Sequence, residues 1–127
     1  MYQELIDYAI KARDNAYAPY SSFKVGAALK TKTGKVFLGC NIESSSYSLT
    51  NCAERTAFFK AISEGEREFE AIAVVGGKDE LVFCPPCGAC RQVMKEFCDE
   101  NFKIILLDNG QEKIYTLIDI LPLGFKT

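Results

Sequence analysis

The chain has 127 residues, 48% of them hydrophobic, a formal net charge of −2 and no histidine. That length suits one domain with a real core, spanning 1–127, and is short for two. The composition argues against disorder, a basic nucleic-acid-binding face or a membrane span.

The opening stretch, MYQELIDYAIKARDN, carries acidic residues and lacks the basic start and apolar block of a signal peptide. The expected address is therefore the cytoplasm. In a reducing compartment, six cysteines favour metal binding or catalysis over a disulfide framework. Over residues 2–16, Leu5, Ile6, Ala9, Ile10, Ala12, Arg13 and Ala16 recur at helical spacing, which predicts one amphipathic helix. Pro19 biases Ala18 away from helix and breaks it. KVGAALKT and VFLGC predict two strands joined by a turn at Lys32-Thr33-Gly34-Lys35. NIESSSYSLT is too polar for a strand and reads as a loop.

Asn51 or Thr50 is the expected cap of a helix running from about Cys52 to Glu64, closed by Gly65. EAIAVVGG predicts a strand buried on both faces. KDELVFCPP reads as a loop, and Cys87 to Cys98 as a second long helix, with Pro86 just before it or in its first turn. FKIILLD is another buried strand, followed by a turn over NGQEK and a short strand around Ile114. A short helix near Leu117–Ile120 is stopped by Pro122. Alternating helices and strands imply an α/β sandwich with helices on both faces of a mixed sheet.

Cys52, Cys87 and Cys90 all fall at predicted helix starts, where unpaired N–H groups and the helix dipole stabilise thiolates. Cys87 and Cys90 lie one turn apart and can reach one ion. Cys-x-x-Cys alone fits a structural zinc knuckle, a redox loop or a catalytic site equally well. Glu54 discriminates. It follows Cys52 by two positions, near the metal but poorly placed as a ligand, where a carboxylate can move the proton of an activated water. A catalytic zinc keeps one position open, whereas a structural one fills it with protein. Cys84 is the residue that would fill it, and it keeps the four-thiolate alternative open. Three thiolates around Zn²⁺ leave a net negative charge; Arg55, next to Glu54, is placed to donate to the sulfurs. Cys40 and Cys98 read as small core residues.

Cys52-Ala53-Glu54 and Pro86-Cys87-Gly88-Ala89-Cys90, with PYSSFKVGAAL and GCNIESSSYSLTNCAER before them, resemble a cytidine deaminase of the small homotetrameric, three-cysteine zinc kind. The resemblance covers nearly the whole chain. It implies a three-layer α/β/α sandwich with a five-stranded mixed sheet and one zinc per subunit. It also implies a free nucleoside as substrate rather than a polymer. It assigns Phe23 to the face of the pyrimidine ring, Asn41 and Glu43 to the ribose hydroxyls, and the Ala53 backbone N–H to the base carbonyl. Phe125 resembles a C-terminal aromatic that reaches into a neighbouring subunit's site, and Tyr47 is assigned to the same interface. The residue before Pro86 is often Ser or Thr in that family. Here it is Pro85, so a hydroxyl hydrogen bond is lost and the loop is stiffened.

Overall fold

Near-continuous apolar runs along the inner strands give the sheet two buried faces. In the computed structural model, which describes residues 2–127, five strands lie in the order β2-β1-β3-β4-β5. They are β1 (Lys24–Thr31), β2 (Val36–Cys40), β3 (Phe69–Gly77), β4 (Lys103–Asp108) and β5 (Gln111–Thr116). β3 and β4 run parallel, and every other neighbouring pair is antiparallel. The parallel pair needs a crossover, and α3 (Gly88–Phe97) lies within it.

Ala27, Leu29, Ile72, Val74, Ile104 and Leu106 share one face, against α2 (Ala53–Ser63) and α3 through Phe58 and Met94. Ala28, Ala71, Ala73, Val75 and Ile105 share the other, against Leu5, Ile6 and Ala9 of α1 (Gln3–Arg13). The sandwich is thus α/β/α with a mixed five-stranded sheet, as expected. A short α4 (Leu117–Ile120) follows β5 and ends before Pro122.

Two glycines set how closely the layers approach. A Cβ on Gly26 would sit 2.0 Å from the Ala9 carbonyl oxygen and 2.5 Å from the Arg13 nitrogen. A Cβ on Gly39 would sit 2.4 Å from the Ala53 carbonyl oxygen and 2.6 Å from the Ala57 nitrogen. Helix backbone therefore rests directly on strand backbone. The contact at Gly39 fixes the first turn of α2, and with it Cys52, Ala53 and Glu54.

Several boundaries differ from the sequence reading. α1 stops at Arg13, leaving Ala16 outside it, and Ile10 is exposed rather than on the buried face. Arg13 is not simply part of an apolar stripe. Its guanidinium donates to the carbonyls of Lys24, Gly77 and Lys78 and ties α1 to the ends of β1 and β3. Cys52 itself, in extended conformation, is the N-cap of α2, in place of Asn51 or Thr50. Asn51 is instead taken up by paired backbone hydrogen bonds with Ile42. Asn109 and Gly110 have φ of 51° and 77°, the left-handed pair of a two-residue hairpin turn. β5 consequently starts at Gln111, inside the stretch read as a longer turn.

Gly26→Ala should destabilise the fold by about 1–3 kcal/mol, since backbone on the facing helix must move. Gly88→Ala adds a Cβ with nothing within 4 Å and should be neutral or stabilising by up to about 1 kcal/mol. Urea midpoints of the two variants check both; equal midpoints would contradict the close-approach argument.

Candidate functional site

Two helix starts converge on three sulfurs. Cys52 caps α2, Cys87 caps α3, and Cys90 lies in the first turn of α3. Cys52 Sγ is 3.8 Å from Cys87 Sγ, Cys87 Sγ is 3.5 Å from Cys90 Sγ, and all three lie within 4.8 Å of one another. Zn–S bonds of about 2.3 Å at tetrahedral angles require sulfurs roughly 3.8 Å apart, so the donor set fits zinc. These separations are too long for a disulfide, and all six cysteines are free. Cys84 is not in the cluster. Its Sγ lies over Gly76, 2.8 Å from where a Cβ would stand. Among the described residues, the only metal-ligand group is Cys52, Cys87 and Cys90. The four-thiolate structural site is therefore not formed, and a tetrahedral ion held by the three sulfurs would keep one position open.

Glu54 is buried, at 5% exposure, with its carboxyl beside the Cys90 thiol and its own backbone N–H. Burial pushes this carboxyl up to about 7, and the neighbouring Cys52 adds to the rise. Its own N–H, the Cys90 thiol and Arg55 work against that, and a cation among the sulfurs would pull it down further. Arg55 Nη2 donates to Cys52 Sγ at 3.2 Å, while Arg55 Nε is buried with no partner. The Cys90 thiol's hydrogen bond, helped by Arg55, holds Cys52 well below an ordinary thiol. The same bond, together with burial, holds Cys90 far above. A cation bound among the sulfurs would hold them as thiolates and release their protons.

The other expected residues approach from the β1 and β2 ends. Phe23 Cε1 lies 3.1 Å from the same Gly76 Cβ position as Cys84 does, so ring and thiol share a floor that only glycine leaves open. Burial pushes the Cys84 thiol up to about 11, and the charges of Glu54 and Cys52 contribute, which places it beside the cluster. Asn41 is buried and already engaged. Its Oδ1 accepts from Val25 N and its Nδ2 donates to Phe23 O, both at 2.8 Å. Glu43 Oε1 accepts from the backbone N–H groups of Tyr20 at 3.0 Å and Ser21 at 3.1 Å, and Oε2 accepts from the Ser21 hydroxyl. Tyr20, Ser21, Glu43, Ser44, Tyr47 and Thr50 line a cavity of about 180 Å³. Ile42 pairs with Asn51, so the Asn41–Glu43 segment runs alongside the residue that precedes Cys52.

Ala53 is fully buried against Gly39, with its N–H in the first turn of α2. Tyr47 and Phe125 stand on the surface, 80% and 70% exposed; the Tyr47 carbonyl accepts from Thr50 N at 3.0 Å and the Phe125 carbonyl from Gln92 Nε2 at 2.9 Å. Sequence reasoning missed Arg91. It donates to the Pro86 carbonyl at 2.8 Å and to the Ile120 carbonyl at 2.7 Å, locking the cysteine loop to α4. Nothing local signals that role, because both acceptors are backbone atoms brought in by the fold.

The chain matches the family model described as "Cytidine and deoxycytidylate deaminase zinc-binding region" over residues 1–106. It is 55% identical to a cytidine deaminase of Halalkalibacterium halodurans, over 97% of this chain and 92% of that protein. It is 51% identical to one of Sporosarcina psychrophila, over 97% and 90%. Its fold superposes on the crystal structure of a cytidine deaminase from Burkholderia pseudomallei with a TM-score of 0.91, at 51% identity, covering 98% of this chain and 99% of that one. A match of this extent settles the family: the chain is a member of the cytidine and deoxycytidylate deaminases.

Proposed function

We propose that this chain hydrolyses cytidine, and deoxycytidine as well, to the uracil nucleoside and ammonia, a reaction of pyrimidine salvage. The observation that carries the reading is the buried Glu54 carboxyl in contact with a three-sulfur cluster that holds no fourth cysteine. Held by Cys52, Cys87 and Cys90, one zinc per subunit supplies a Lewis acid that makes water a nucleophile near neutral pH.

The remaining work falls to the chain's own groups. Glu54 takes a proton from water and gives it to N3 of the ring, which leaves C4 open to attack. It then carries the second proton to the departing amine, so water is consumed and ammonia leaves. Arg55, donating to Cys52, draws charge off the sulfurs. The Ala53 N–H donates to the base carbonyl, since a helix start offers unpaired donors. Phe23 lies against the pyrimidine face. Asn41 and Glu43 take the sugar hydroxyls. One donor hydrogen and one lone pair of Asn41 remain after its two backbone bonds, enough for one hydroxyl.

The substrate is a free nucleoside. The sugar-side cavity carries the Glu43 carboxylate and no cationic side chain, an arrangement that repels a phosphate. A net charge of −2 argues likewise against a polynucleotide. The active form is a homotetramer of this one domain, with Phe125 and Tyr47 completing neighbouring sites. Their exposure in the isolated chain supports that reading. Six free cysteines suit the cytoplasm.

Glu54→Gln should keep its zinc and its melting temperature while kcat falls roughly 100- to 10,000-fold. Uridine formation followed by absorbance checks it, and a fully active variant would contradict the role. Arg55→Ala should likewise retain zinc by elemental analysis while turnover drops roughly 10- to 100-fold. Chelation should abolish activity and added zinc restore it; zinc bound without any turnover would favour a non-catalytic module.

A further inference from the structure

We propose that Ser21 is a positioning residue for sugar recognition, its hydroxyl aiming the Glu43 carboxylate at the incoming sugar hydroxyl. The inference rests on the reading of Glu43 as a sugar-binding group and names a residue on which that group depends.

Ser21 and Glu43 are 22 positions apart and meet because of backbone pairing. Tyr17 N donates to Asn41 O at 3.0 Å and Glu43 N donates to Tyr17 O at 2.8 Å, which lays the Asn41–Glu43 segment beside the chain entering the 20–23 turn. Ser22 closes that turn with φ of 60°, a left-handed conformation uncommon for serine. The backbone N–H groups of Tyr20 and Ser21 converge on Glu43 Oε1, and the Ser21 hydroxyl donates to Oε2.

The direction of that hydroxyl is itself fixed. Phe23 N donates to Ser21 Oγ at 3.0 Å, occupying a lone pair and leaving the proton to point at Glu43. Phe23 does not depend on Ser21 alone, because Asn41 grips its carbonyl at 2.8 Å. A carboxylate has about four lone-pair directions. Three are filled by these donors and one is left on Oε2; Glu43 lines a cavity together with Ser44, Tyr47 and Thr50. The three donors also hold the Glu43 carboxyl below its ordinary range, Ser21 most of all, so the group stays an anionic acceptor. Without the hydroxyl, Oε2 loses the contact that sets its orientation, and a glutamate held only through Oε1 swings about that anchor.

The test compares cytidine with 2′,3′-dideoxycytidine, which lacks the 2′ and 3′ hydroxyls, on the zinc-loaded enzyme. Ser21→Ala should lose about tenfold or more in kcat/KM for cytidine, mostly through KM, as expected for one hydrogen bond to a charged group. For dideoxycytidine the loss should stay under about threefold. Ser21→Thr, which keeps the hydroxyl, should return cytidine activity to within about threefold of the parent. Ser21→Cys, similar in shape with a weak donor, should behave as the alanine variant and serves if that variant folds poorly. Glu43→Ala separates the two levels of the argument. If it loses equally on both substrates, the sugar role of Glu43 fails and this inference falls with it. If Glu43→Ala is selective but Ser21→Ala is not, the inference alone is overturned. Selective loss in both, with the larger loss at Glu43, supports it.

Discussion

Electrostatics at two helix ends organises this molecule. Three sulfurs crowded within 4.8 Å would repel one another as thiolates, and no histidine is present to dilute their charge. What makes the arrangement tolerable is the set of positive partial charges aimed at it. The starts of α2 and α3 contribute free N–H groups, and Arg55 contributes a full charge at 3.2 Å from Cys52. A divalent cation completes the neutralisation. Glu54 sits in the first turn of the same helix as Arg55, so the proposed proton carrier and the proposed charge sink are fixed by one element.

The remaining architecture holds those two helix starts in register with the sheet. Gly39 lets α2 lie on β2 backbone to backbone, which sets the height of Cys52 above the sheet. Arg91 ties the carbonyl before Cys87 to the end of α4, which sets the other start. Gly76 leaves space at the end of β3 for the Phe23 ring and the Cys84 thiol together. Asn41 spends half its hydrogen-bonding capacity on the backbone of Val25 and Phe23. It is therefore a strut that holds the start of β1 against the end of β2.

Much of this was legible in the sequence, and the limits have physical causes. KVGAALKT, VFLGC and EAIAVVGG were readable as strands because apolar and β-branched runs end at clear turn residues. Cys52 and Glu54 were readable as a pair because their spacing fixes them within one helical turn. The cap of α2 was misplaced because Asn51 has the better side chain for capping, yet tertiary pairing with Ile42 claims it. Ile10 was misplaced because α1 covers the sheet with a narrower stripe than its apolar residues suggest. The NGQEK stretch was read as longer than its turn, although Asn-Gly alone suffices for a two-residue reversal. Arg91, Gly76 and the Ser21–Glu43 contact depend on residues far apart in the chain, and no local pattern announces them.

The central claim is a zinc centre with three sulfur ligands and one position left for the reacting water. Zinc-edge X-ray absorption of the loaded protein, free of substrate, tests it most directly. The account predicts three sulfur scatterers at about 2.3 Å and one lighter oxygen scatterer at about 2.0 Å. Four sulfurs at the longer distance would contradict it, because no position would remain at which Glu54 has a proton to move.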